Sequence, residues 1–216
     1  MPETLAPVPV TAVADAAVRL AELALAFGRI DRTACTHPDG APESDADHTV
    51  MLGWLAPALA ALTEPALDPC LVAAFALVHD AVEAFAGDTP TLRITSDGLA
   101  AKAAREQAAA RRWHEELGDA LPWLPAMITR YEAQDSPEAR FVRAADKICP
   151  KFLHVLSGAA DLAGYGVTTG ELRRILARQR AAATGYAGEF GGLLALYDEM
   201  AARTIRVLSD LEARDA

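Results

Sequence analysis

Cysteine is scarce and scattered. The three thiols, Cys35, Cys70 and Cys149, are odd in number and far apart, and no CxxC pair occurs. That argues against a disulfide framework or a thiolate zinc site, and it fits a reducing cytoplasm. Basic charge is also short. Twenty Lys and Arg stand against thirty Asp and Glu, for a formal net charge of -10 and a pI near 4.9. Phosphodiester polymers need a basic stripe, so no nucleic-acid polymer is expected as a partner. A small anionic substrate remains compatible, because a metal and a few bases can set its local field. The longest apolar runs, around 51–62 and 71–78, fall short of the roughly 20 residues that cross a bilayer, so no membrane partner is expected. The N-terminus lacks a basic n-region and carries Glu3 almost at once, unlike a secretory signal. β-branched runs are rare, and there is no repeat, linker or low-complexity segment.

What is abundant is Ala and Leu, in a chain that is 52% hydrophobic, enough for a substantial core. The expectation is an all-α single domain. Helical spacing predicts a first helix over about 11–28, closed by Gly28. Residues 29–43 read as a loop. A second helix is expected from the N-cap Ser44 to Leu62, kinked at Pro57. A third is expected over about 69–85 with Pro69 in its first turn, followed by turn chemistry at Gly87-Asp88-Thr89-Pro90. Further helices are expected over about 97–117 and 120–133, and from Ser136-Pro137 through Asp146. Pro150 removes the donor that would serve the Asp146 carbonyl, so a bend is expected beside that carboxylate. Two last helices, separated by residues 185–192, fill about 168–213.

The polar end of the third helix carries the chemistry. The apolar run 71–78 finishes in His79-Asp80, and Glu83 follows. On a continuous helix, position 83 is i+4 from His79 and i+3 from Asp80, so an imidazole and two carboxylates converge at the edge of a core. Burying such groups unpaired costs several kcal/mol, and a compensating cation is the natural inference. His48, in the first turn of the second helix, and Asp146 lie on other predicted helices with apolar faces. Two imidazoles and two carboxylates form a mixed N/O set suited to a divalent transition ion: Mn²⁺, Co²⁺, Fe²⁺ or Zn²⁺.

The pattern His48 … His79-Asp80 … Asp146 resembles the HD-domain superfamily of metal-dependent phosphohydrolases. Its wording is most similar to the HD-domain 5'-deoxynucleotidase family. The matching pieces run in order over 29–156: Arg32-Thr33, Glu43-Ser-Asp-Ala-Asp-His48, Leu77-Val-His-Asp-Ala-Val-Glu83, Gly87-Asp88, Lys102-Ala-Ala-Arg-Glu106 and Ser136-Pro-Glu-Ala-Arg-Phe-Val-Arg-Ala-Ala-Asp-Lys147. The resemblance implies an HD-domain helical bundle with a core over about 11–156 and a C-terminal helical extension over 157–216. It implies His48, His79, Asp80 and Asp146 as metal ligands. Glu83 would orient or deprotonate the attacking water, and Asp88 would contact the sugar or the water network. Arg32 would hold the phosphate, with Lys102, Arg105 and Lys147 as weaker candidates for that task. Where the family places a Trp after the loop Arg, this chain has Thr33, Ala34 and Cys35.

The activity so implied is 5'-nucleotidase hydrolysis of a small nucleotide, a (deoxy)nucleoside 5'-monophosphate, in the cytoplasm. A triphosphohydrolase releasing tripolyphosphate from a dNTP is the alternative, and a non-catalytic metal-binding scaffold is the second. Five histidines are too few for the two-metal HD phosphodiesterases. The resemblance and the apolar surplus in 157–216 imply a homodimer. His37, His114 and His154 read as structural or exposed, Trp113 and Trp123 as core or interface anchors, and Asp45 and Asp47 as partners of a helix N-terminus.

Overall fold

The computed structural model describes residues 8–63 and 65–215. Among them, α1 (Val10–Phe27) leads to a two-stranded hairpin, β1 (Asp31–Thr36) and β2 (Pro42–Ser44). Then come α2 (Asp45–Ala60), α3 (Pro69–Val78), α4 (Glu83–Ala86), α5 (Ser96–Leu117), α6 (Trp123–Ala133), α7 (Pro137–Asp146) and α8 (Cys149–Leu156). The chain finishes with α9 (Ala160–Gly164), α10 (Thr169–Ala187) and α11 (Gly191–Asp215). The fold is all-α apart from the hairpin.

The helix starts follow local chemistry. Ser44 and Asp47 form a reciprocal capping box: the Ser44 hydroxyl accepts the Asp47 N–H at 3.1 Å, and the Ser44 N–H donates to Asp47 Oδ2 at 3.0 Å. Asp68 and Ser136 cap α3 and α7 with one bond each, accepting the Cys70 and Ala139 N–H, and each is followed by Pro at the first helical position. α2 runs through Pro57 to Ala60 without interruption.

Three elements differ from expectation. The 29–43 loop contains the hairpin, whose register pairs Asp31 with Ser44 and Thr36 with Pro42 around an irregularity. Ala34 takes φ 60° within that irregular stretch, which breaks the alternation a strand normally shows. The helix expected over 69–85 stops at Val78. Residues 79–82 form tight turns, with Ala81 N–H donating to Val78 O at 3.1 Å and Glu83 N–H to Asp80 O at 2.8 Å. Finally, α7 ends at Asp146 and α8 restarts at Cys149 with Pro150 in its first turn, where a bend was expected.

α3 is clasped by α2, α6 and α7. Leu52, Ala56, Val72, Phe75, Phe141 and Val142 fill the space between them, each almost fully buried. The stretch Pro69–Ala86 is long and apolar enough to cross a membrane by composition, yet it comprises α3, a turn and α4 packed into this core. The C-terminal helices belong to the same body. α10 and α11 pair with each other and lie on α7, and α11 also covers α8 and α9. Leu172, Phe190, Leu193, Tyr197 and Leu208 are buried in these contacts, so the apolar surplus of 157–216 is used within the chain.

Candidate metal centre

Each of the four expected ligands reaches the centre from a different backbone setting. His48 sits one turn into α2, fixed by the capping box. His79 caps α3, Asp80 opens the turn, and Asp146 ends α7. One ligand atom from each lies within 4.8 Å of all the others. His48 Nε2 is 2.9 Å from Asp146 Oδ1, and His79 Nε2 is 3.0 Å from Asp80 Oδ2. The two imidazoles face each other with ring centroids 5.1 Å apart.

The cluster fits a divalent ion on its own chemistry. His79 Nδ1 lies 2.8 Å from the Ala76 carbonyl, which can only accept, so the proton belongs on Nδ1 and the Nε2 lone pair points into the cluster. That Nε2 is buried and has no hydrogen-bond partner among the described residues. Behind His48, Glu43 Oε1 stands 3.6 Å from Nδ1, a carboxylate backing an imidazole in the manner of a metal site's supporting shell. Burial alone would raise Asp80 and Asp146. The neighbouring imidazole of His79 reverses this for Asp80, and Lys147 and His48 do so for Asp146, holding both carboxyls well below their ordinary range. Burial disfavours charge on His48, but the hydrogen bond to Asp146 and the nearby Glu43 carboxylate outweigh it and lift the imidazole to about 9. The same negative field would draw in a divalent cation and expel that proton.

Around this set the other expected residues are distributed unevenly. Glu83 is buried one turn away, outside the four-ligand group. Its Oε1 accepts from Lys102 Nζ at 3.2 Å, and its Oε2 has no partner among the described residues. Burial, then the neighbouring charge of Asp80, push its carboxyl up to about 9. Arg32 reaches the cluster from β1, where it meets three acids. Nη1 is 2.8 Å from Asp80 and 3.3 Å from Asp45, and Nε is 3.4 Å from Glu43. Asp88 accepts the Thr33 backbone N–H at 3.1 Å and so ties the Gly87-Asp88 turn to β1. Lys147 pairs with Asp146 at 2.6 Å, Lys102 pairs also with Glu106 at 2.5 Å, and Arg105 donates to Thr89 at 2.8 Å.

Two acids do more than their sequence context indicates. Asp45 was expected to serve a helix N-terminus with Asp47. Only Asp47 does so, while Asp45 is fully buried beside Arg32 and burial lifts it to about 6 against the pull of that guanidinium. Glu43 had no role assigned, yet it bridges Arg32 and His48. The available signal was an acidic run, Glu43-Ser-Asp-Ala-Asp-His48, too long for capping alone. Of the residues read as incidental, His37 and His114 are on or near the surface. His154, by contrast, is buried against Asp161. Trp113 is a core anchor donating to the Ala81 carbonyl at 2.9 Å, and Trp123 is exposed.

A helical domain that gathers His, His-Asp and Asp from separate helices around one buried point defines a metal-site class. The comparisons place it more closely: the HD domain profile matches residues 29–184, and the chain belongs to that family. It is also similar to the solved structure of a predicted metal-dependent phosphohydrolase from Magnetospirillum magnetotacticum MS-1. The two share 27% identity and a TM-score of 0.66, over 90% of this chain and 98% of that one. No curated protein matches the sequence.

Proposed function

We propose that this protein is a metal-dependent phosphohydrolase that converts nucleoside or deoxynucleoside 5'-monophosphates and water to nucleoside and orthophosphate. The observation that carries the reading is the His48, His79, Asp80 and Asp146 cluster, buried but for a partly exposed Asp80, with the partly unpaired Glu83 carboxylate one turn away. His48, His79, Asp80 and Asp146 would hold a divalent transition ion. Bound there, such an ion supplies Lewis acidity, which polarises a phosphoryl oxygen, acidifies a water and lowers the pKa of nearby carboxyls.

The chain's own groups do the rest. Lys102 fixes one oxygen of Glu83 and leaves the other to accept a proton from the attacking water. The same carboxyl can pass that proton to the 5'-oxygen as the P–O bond breaks. Arg32 holds Asp80, Asp45 and Glu43 in place and keeps its charge beside the phosphate position. Asp88 anchors β1 to the 87–88 turn and so sets the position of Arg32.

The disposition of the basic groups favours a monophosphate over a triphosphate. A tripolyphosphate needs a broad basic pocket. Here Lys102, Arg105 and Lys147 are each engaged with Glu83 and Glu106, with Thr89, or with Asp146.

A phosphate-release screen tests the reading. Protein loaded in turn with Mn²⁺, Co²⁺ and Zn²⁺ is offered nucleoside mono-, di- and triphosphates, with and without a chelator. Chelator-sensitive orthophosphate release from monophosphates is expected. Tripolyphosphate release from dNTPs would move the assignment to the triphosphohydrolase, and no release from any substrate would leave the scaffold reading.

A further inference from the structure

A cavity of about 90 Å³ lies between β1, the 88–92 segment, α8 and α10; none of the four ligands lines it, but Arg32 and Lys147, which touch Asp80 and Asp146, do. It has room for about three waters, or for one group of a few heavy atoms. Arg32, Asp88 and Lys147 line it next to the cluster; Lys151 and His154 enter from α8, and Gln179 from α10.

Lysine is rare in this chain. Three of its twenty basic residues are Lys, and all three, Lys102, Lys147 and Lys151, lie near the centre. Lys102 and Lys147 are paired with carboxylates. Lys151 is not, although it is only 2% exposed. Of its three donor hydrogens, one serves the Lys147 carbonyl at 2.6 Å and one can face the Tyr197 ring, 4.0 Å from Nζ to the centroid. The third has no acceptor among the described residues. A buried ammonium without a counter-charge is costly, and an arriving anion removes that cost. Burial, then the charge of Lys147, bring its pKa down to about 7, so the amine becomes charged readily when an anion approaches. One turn on, His154 Nδ1 is held 2.7 Å from Asp161, which fixes a second polar group in the same wall.

We propose that Lys151 is a phosphate-binding residue: the small cavity beside the metal centre receives the phosphate of the substrate, and the Lys151 ammonium meets its outer oxygens. The inference rests on the phosphohydrolase reading for its substrate, but it is tested with inorganic phosphate alone.

Selective ¹³Cε labelling of lysine in the full chain yields three signals, assigned with Lys151→Arg and Lys102→Arg. On titrating orthophosphate into the Zn²⁺-loaded protein, the Lys151 signal should shift saturably and further than the other two. An unmoved Lys151 signal at saturating phosphate overturns the proposal. In kinetics, Lys151→Met should raise KM for a 5'-monophosphate at least tenfold and weaken orthophosphate inhibition by a similar factor, with a smaller change in kcat; Lys151→Arg should recover part of both. Unchanged KM and inhibition would also refute it. If Lys151→Met does not fold, the spectrum of the unaltered chain still decides. A saturable Lys151 shift in a protein that hydrolyses no nucleotide sinks the nucleotidase reading and leaves the phosphate site standing. Hydrolysis with an unmoved Lys151 sinks the phosphate site alone.

Discussion

Glu43 stands behind His48, its Oε1 3.6 Å from Nδ1, while its other oxygen lies 3.4 Å from Arg32. A carboxylate so placed sets the tautomer and basicity of a ligating imidazole. Glu43→Gln should therefore weaken divalent-metal affinity by about 10- to 100-fold with little change in helical content. Competition against a chromogenic chelator measures the first and far-UV circular dichroism the second. Unchanged affinity would reduce Glu43 to a partner of Arg32.

Glu83 is adjacent to the ligands without being one. Glu83→Gln should keep the bound metal and reduce turnover by about 10²- to 10⁴-fold, the usual contribution of a positioned acid or base. Metal content and phosphate release measured on one preparation separate the two effects. Full activity in the variant would remove the proton-transfer role.

Lys151 gives stability a pH dependence of known sign. Its folded pKa is depressed to about 7, whereas an unfolded lysine titrates near 10.4. Between those values the unfolded chain binds the extra proton, so stability from this site is present at high pH and is lost as pH falls toward 7. Relative to Lys151→Met, the metal-free and phosphate-free protein should lose about 1.4 kcal/mol per pH unit on the way from pH 10 to pH 7, levelling off below. Paired urea titrations across that range check it. Parallel stability curves for the two proteins would show that the amine is not desolvated.

The C-terminal helices hold the site-bearing core through Phe141 of α7, whose ring meets Phe190 edge-on at 5.2 Å. Both are fully buried. Phe141→Ala should cost about 3–5 kcal/mol. A double-mutant cycle with Phe190→Ala should return a coupling of about 0.5–1.5 kcal/mol. Zero coupling in denaturant unfolding would mean that α7 and the α10–α11 connection are stabilised independently.

The all-α class and most helix starts were legible because they depend on nearest-neighbour chemistry: a capping Ser44 or Ser136, Pro69 and Pro137 at first positions, Ala and Leu between them. The four clustered residues were legible as a spaced set of side-chain types. What was not legible depended on distant partners. The stop at Val78 coincides with the polar pair His79-Asp80, but that pair alone does not mark it, because Ala81, Val82, Ala84 and Phe85 continue an apolar pattern beyond it. The hairpin was missed because its strands are short, irregular and without alternating apolar residues. Asp45 and Glu43 resembled surface acids until Arg32, on the hairpin, was seen to reach them. Lys151 had one local clue, the scarcity of lysine in an arginine-rich chain, and its meaning came only with the cavity.

Phosphohydrolase chemistry at this centre requires one ion shared by His48, His79, Asp80 and Asp146. X-ray absorption at the Zn edge of the Zn²⁺-loaded protein, with metal stoichiometry, tests it directly. One ion per chain with imidazole and oxygen scattering is expected, and loss of that ion in Asp146→Asn combined with His79→Gln. Zinc bound without imidazole scattering, or retained in the double variant, would contradict it.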